Sequence, residues 1–155
     1  MSKTITTQIS KPLLRVTETS RPFWEGANAS QLVIQRCADP ACGKAVFYPR
    51  VCCPFCKGPT LSWFRASGTG RIISHTTIYR THHSGFDSEV PYVFAAVELI
   101  EGPCIYAQIP GASTDGRSLT DQPVMVDFIE HVSGTKMPIF RLANQSLNTV
   151  GAEAR

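Results

Sequence analysis

Apolar positions along the chain recur in short alternating runs, and two-residue periodicity dominates after residue 60. In Val124-Met125-Val126-Asp127-Phe128 the valines and the phenylalanine fall on one face, as in a half-buried strand. Similar runs predict strands over Leu61–Ala66, Arg71–Thr81, Pro91–Ile100, Cys104–Ile109, Pro123–His131 and Met137–Leu142. Ser67-Gly68-Thr69-Gly70 reads as a bend between strands, and Glu101-Gly102-Pro103 as the turn of a hairpin. Five or six short strands in about 80 residues suit a small barrel of the OB type.

The first third is patterned differently. Residues 1–20 are rich in Thr and Ser without a sustained period, and read as a mobile or partner-docked arm. Ser20-Arg21-Pro22-Phe23-Trp24 predicts a helix start, with Ser20 as cap and Pro22 in the first turn, where its missing N–H costs nothing. Gly26 and Asn28 keep that helix short, and Leu32–Arg36 is strand-prone up to Cys37. The expected organisation is an arm with a short helix (1–34), a metal ribbon (35–60), a barrel (61–143) and a flexible tail (144–155).

Composition narrows the functional classes. The 155 residues are 43% hydrophobic and 17% charged, which excludes a disordered, highly charged chain. No apolar run reaches the roughly 18 residues needed to span a bilayer, and no signal-peptide pattern opens the sequence, so the expected location is cytoplasmic. A net charge of +3 is modest, and two cysteine pairs holding one divalent ion would lower it further, so nucleic acid is not the expected partner.

Five of the six cysteines crowd into twenty residues, and a cytoplasmic chain has little use for disulfides. Cys37-x4-Cys42-Gly43 and Cys53-Pro54-Phe55-Cys56 form two turn-borne pairs, a pattern that suits four tetrahedral thiolates around structural zinc. Iron is compatible with the same donors. Cys52 offers a Cys-x3-Cys alternative with Cys56, but the Cys-Pro-x-Cys pattern favours Cys53 and leaves Cys52 a bystander. Four protein ligands leave no open position for substrate or water.

Independent catalysis has weak support. Cys104 sits mid-strand as a small thiol, and His75, His82, His83 and His131 form no motif with it. Single-strand binding in the manner of other OB barrels would use Trp63, Phe64, Tyr79, Tyr92 and Phe94 with Arg65, Arg71 and Arg80, but the segment from residue 61 onward is net acidic. Arg71 and Arg80 bracket one strand and are candidates for CoA phosphates. Phe23 and Trp24, on a short helix outside the barrel, either pack on the ribbon or dock a partner.

From Phe23 to Leu142 the chain resembles the zinc-ribbon plus OB-fold proteins long catalogued as a domain of unknown function. The resemblance rests on Phe23-Trp24, Gln35-Arg36-Cys37, Cys42-Gly43, Pro49-Arg50, Cys53-Pro54-Phe55-Cys56, Trp63, Ser67-Gly68-Thr69-Gly70, Pro91-Tyr92, Val97-Glu98-Leu99, Glu101-Gly102 and Pro138-Ile139-Phe140. It departs in the first knuckle, where the family's C-x2-C has become C-x4-C around Asp39-Pro40. The resemblance implies a mainly β fold: a helical arm, a rubredoxin-like ribbon and a five- to six-stranded OB barrel. It also implies a non-catalytic small subunit of a thiolase-like acyltransferase or retro-aldolase acting on acyl-CoA thioesters, similar to the small subunit of benzylsuccinyl-CoA-type thiolases. The partner subunit would carry the catalytic residues, and this chain would help shape the CoA channel.

Overall fold

A computed structural model describes residues 11–144. The expected tail, apart from Asn144, and the first ten residues of the expected arm lie outside that range. The described part of the arm is tied to its own barrel: Lys11 pairs with Glu89 and lies over the Phe86 ring.

Helix α1 (Arg21–Asn28) starts where Pro22 permits, with Pro in its first turn. Ser20 is the N-cap residue, but its hydroxyl turns back to Thr17, 3.0 Å away, instead of capping the helix. Phe23, Gly26 and Ala27 form the buried stripe of α1, at the i, i+3, i+4 spacing of one helical face. Gly26 is required there, because an added Cβ would stand 2.5 Å from Val33.

Strands β1 (Val33–Cys37), β2 (Ala45–Val46) and β3 (Leu61–Arg65) make a three-stranded antiparallel sheet in the order β2-β1-β3. This departs from the sequence expectation in one respect. The alternation places Leu61–Ala66 in the barrel, yet β3 pairs along the whole of β1, from Val33↔Arg65 to Cys37↔Leu61. The two-residue β2 is too short to show a period.

The barrel is a five-stranded antiparallel sheet, β6-β5-β4-β7-β8, formed by β4 (Thr69–Ile78), β5 (Tyr92–Leu99), β6 (Cys104–Gln108), β7 (Pro123–Glu130) and β8 (Lys136–Leu142). It is nearly closed, because the end strands β6 and β8 come together. A bulge between Ile72 and Ser74 turns Ile73 outward on β4. Gly68, at φ +77°, makes the bend before β4 where a Cβ would meet Val126 at 2.3 Å. Pro138 sits in β8, so this end strand has one N–H fewer to offer across the seam.

One core serves both sheets. Phe23, Leu32, Ile34 and Ala45 from the helix and ribbon join Ile72, Val97, Ile105, Val124 and Phe140 from the barrel. The ribbon and barrel are therefore coupled through shared burial as well as through the chain.

At the β7–β8 edge, Arg141 Nε donates to Asp127 at 2.6 Å, and the Phe128 N–H donates to the same carboxylate at 2.8 Å. The Arg141 hydrogen bond, opposed by partial burial and aided by Phe128, holds the Asp127 carboxyl below its ordinary value. A depressed native pKa stabilises the fold above the ordinary carboxylate range, and the benefit fades as pH falls through that native value. Urea midpoints of the wild type and Asp127→Asn should thus differ at pH 7, by less than about 1 kcal/mol for so exposed a pair. The difference should begin to shrink below about pH 4 and close once pH is under the lowered native value, and a difference that persists there would sink this account.

Candidate metal centre and docking surface

Cys37 ends β1, Cys42 follows a tight turn at Asp39, and Cys53 and Cys56 flank the turn Pro54-Phe55. The four sulfurs lie within 4.8 Å of one another. Cys37 and Cys56 are 3.5 Å apart, and Cys42 and Cys53 3.7 Å apart. A tetrahedral ion with metal–sulfur bonds of about 2.3 Å needs sulfurs about 3.8 Å apart, so the spacing fits. The inserted Asp39-Pro40 does not spoil it. Asp39 folds the longer knuckle on itself: its carbonyl accepts from the N–H of Cys42 and of Gly43, and its carboxylate from that of Ala41.

The backbone around the sulfurs is arranged for thiolates. The Gly58 N–H donates to Cys56 at 3.4 Å, and the backbone amides of Asp39, Lys44 and Phe55 favour the thiolate forms of Cys37, Cys42 and Cys53. Gly43, at φ +55°, turns the chain so that the Lys44 amide can point inward. At Cys53 burial works against ionisation, but the amides of Cys56 and Phe55 outweigh it and bring the thiol down to about 7. At Cys37 the Asp39 amide favours ionisation, while burial and the neighbouring thiols push it up to about 12. A metal ion takes cysteine as thiolate, so binding would release whatever protons the four sulfurs still carry. Cys52 is exposed and stands outside the cluster.

The remaining expected residues are placed as follows. Phe23 is only 6% exposed and packs edge-on against Trp24 at 4.9 Å and against Phe47 at 5.5 Å. Phe23 is thus mainly a core residue and Trp24 the more exposed of the pair, though both line one groove; the phase of α1 dictates the difference. Trp24 borders a groove of about 390 Å³ walled by Tyr48, Pro49, Tyr106, Met137 and Pro138, with Arg15 at its rim. Tyr106 is 57% exposed and stacks on Phe94 beside it.

Arg71 is held by Glu98 at 2.8 Å and by Asp121 at 2.7 Å, so an incoming phosphate would compete with two carboxylates. Arg80 lies beyond the other end of β4, roughly 30 Å of extended chain away, and the two cannot grip a single phosphate. The aromatic residues considered for base stacking are divided between the sheets. Trp63 and Phe64 lie on β3, with Arg36 over the Phe64 ring at 4.4 Å, whereas Tyr92 and Phe94 lie on β5.

Three of the four histidines hold loops by hydrogen bonds. His75 Nε2 accepts the Leu119 N–H at 2.9 Å, His83 Nδ1 accepts that of Gly85, and His131 bonds Ser133. Cys104 is raised above its ordinary value by burial and the nearby Glu98, which disfavours a nucleophilic thiolate. No described helix is long and apolar enough to cross a membrane.

Sequence reasoning missed Gln35 as a site residue. It is 4% exposed and is the one buried polar or charged side chain among the described residues. Nothing in its sequence position signals the role, because its partner, Arg50, is fifteen residues away across a loop.

Comparison with known proteins agrees with this architecture. Residues 24–62 match the family described as the ChsH2 rubredoxin-like zinc ribbon domain, and residues 63–128 match the ChsH2 C-terminal OB-fold domain. A DUF35 domain-containing scaffold protein of Methanothermobacter thermautotrophicus is 34% identical over 112 residues, covering 72% of this chain and 82% of that protein. A probable enoyl-CoA hydratase alpha subunit of Thermomonospora curvata is 37% identical over 122 residues, 78% of this chain. The chain spans only 37% of that subunit's length, and 48% of that of a Pyrococcus furiosus scaffold protein of the DUF35 description. Among solved structures, a chain of the Ltp2-ChsH2(DUF35) aldolase superposes with a TM-score of 0.72 at 33% identity, covering 84% of this chain and 99% of that one. With the paired cysteine knuckles, the ribbon sheet and the nearly closed barrel in the same order, this chain belongs to the ChsH2/DUF35 family of zinc-ribbon plus OB-fold proteins.

Proposed function

We propose that this protein is a non-catalytic accessory subunit of a thiolase-like enzyme, an acyltransferase or retro-aldolase acting on acyl-CoA thioesters. The observation that carries the reading is the end-to-end correspondence with one chain of an aldolase complex, 99% of which this chain covers. The chain's own chemistry is consistent with a supporting role. Its cysteine cluster has four protein donors and therefore no open coordination position, and His75, His83 and His131 are each engaged in a loop hydrogen bond.

In this reading Cys37, Cys42, Cys53 and Cys56 hold Zn²⁺, which supplies a cross-link between the two knuckles. Trp24 and the aromatic groove beside it face the partner, and the barrel lies near the partner's CoA channel. Arg80, with no ion pair among the described residues, is better placed than Arg71 to meet a CoA phosphate.

Purification of the tagged chain from its native cells, with mass spectrometry of what accompanies it, tests the proposal. A stoichiometric thiolase-like protein is the expected result. Nucleic acid in its place would overturn the reading in favour of single-strand binding. Trp24→Ala should weaken the assembly by at least about tenfold, the range of an interface hot spot, while the isolated chain still folds at a lowered melting temperature, because the ring also packs on Phe23. Unchanged assembly would remove Trp24 from the interface.

A further inference from the structure

Gln35 lies at the centre of β1, between Val46 on β2 and Trp63 on β3, two residues before Cys37. Its side-chain amide reaches out of the sheet and closes two hydrogen bonds with one residue. Gln35 Nε2 donates to the Arg50 carbonyl at 2.9 Å, and the Arg50 N–H donates to Gln35 Oε1 at 2.7 Å. This is the exchange of both bonds that a residue on a neighbouring antiparallel strand would make, supplied here by a side chain. The loop carrying Arg50 has no strand of its own between β2 and β3.

The position of that grip matters more than its strength. Three residues after Arg50 comes Cys53, whose sulfur is fully buried against Cys42. One and two residues before Arg50 come Pro49 and Tyr48, which wall the aromatic groove. The geometry points to Gln35 as the positioning residue of the metal centre: by clamping Arg50 it sets Cys53 against Cys42 in the four-sulfur cluster, and it sets the Tyr48-Pro49 wall of the groove by the same hold. The inference rests on the metal reading of the cysteine cluster. A buried amide with both functions satisfied is rigid, and losing either partner leaves a buried polar group unpaired.

The test uses the full chain and two metals. Zn²⁺ affinity is measured by competition with a chromophoric chelator, and Co²⁺ is added as a spectroscopic probe of tetrahedral sulfur ligation. Outer partners of metal ligands typically contribute 10–100-fold in affinity, and Gln35→Ala should lose that much and alter the Co²⁺ ligand-field bands. Gln35→Glu retains the acceptor for the Arg50 N–H but not the donor to its carbonyl, and should fall between the two; it also serves if Gln35→Ala fails to fold. Hydrogen exchange of the metal-free chain gives a readout that does not need the ion. The Arg50 amide should be protected in the wild type and at least tenfold less so in Gln35→Ala. Wild-type protein that takes up neither metal overturns the reading beneath the inference. Wild-type uptake matched within twofold by Gln35→Ala, or an Arg50 amide equally protected in both, overturns the inference itself.

Discussion

A Cys53→Ser chain is expected to purify without metal and to melt far below the wild type, if it folds at all. Structural zinc in small ribbons contributes an apparent 10–16 kcal/mol near neutral pH, as much as the entire stability of an ordinary domain. Here the loss should not stay local. Cys37, Val46 and Cys53 form a small core of their own beneath the ribbon, and Ile34 and Ala45 beside them belong to the core shared with the barrel. Loss of the metal therefore loosens one wall of the barrel. Metal content by inductively coupled plasma mass spectrometry and a calorimetric scan check the result, with Cys52→Ser as the control that should change neither. Stoichiometric metal and an unchanged melting temperature in Cys53→Ser would exclude the four-sulfur site. Affinity should also fall as pH falls, because protons compete for the sulfurs that the ion requires as thiolates.

Phe140→Ala should give the second largest effect. Phe140 is 0% exposed, the largest of the fully buried side chains, and stands on β8 where the barrel closes. Truncating such a ring costs about 3–5 kcal/mol, lost transfer energy plus the cavity left behind. In a chain of this length that is a drop of roughly 10 °C or more in melting temperature. Metal content should be unaffected, because β8 makes no part of the knuckles. The two variants thus separate the supports of the fold: one loses metal and stability together, the other stability alone. A drop of only 1–2 °C in Phe140→Ala would mean that the barrel repacks around the gap.

Which parts were legible in the sequence follows from the range of the interactions. The metal site was readable because its ligands sit in two local turns, and spacing alone constrains a tetrahedron. The barrel strands were readable from alternation, and each lies within a few residues of its expected span. The sheet that claims β3 was not readable, since Leu61–Arg65 is apolar enough for either and only the register with β1 decides. The separate fates of Phe23 and Trp24 depend on the phase of an eight-residue helix, visible once Phe23, Gly26 and Ala27 are seen as one stripe. Gln35 was hidden for a different reason. Its role depends on the path of a loop, and the resemblance that includes Gln35-Arg36-Cys37 gives the residue without its job.

Pro138 bears on the life of the chain before assembly. An end strand with a full set of free amides is a template on which a second copy can add a strand, and so is a starting point for aggregates. Pro138 removes one such amide from β8, at a point that also borders the groove proposed to face a partner. Under the proposed function, the chain before assembly would present an apolar groove while its closing strand offers one amide fewer to a second copy, which would separate the surface used for assembly from the edge that favours aggregation.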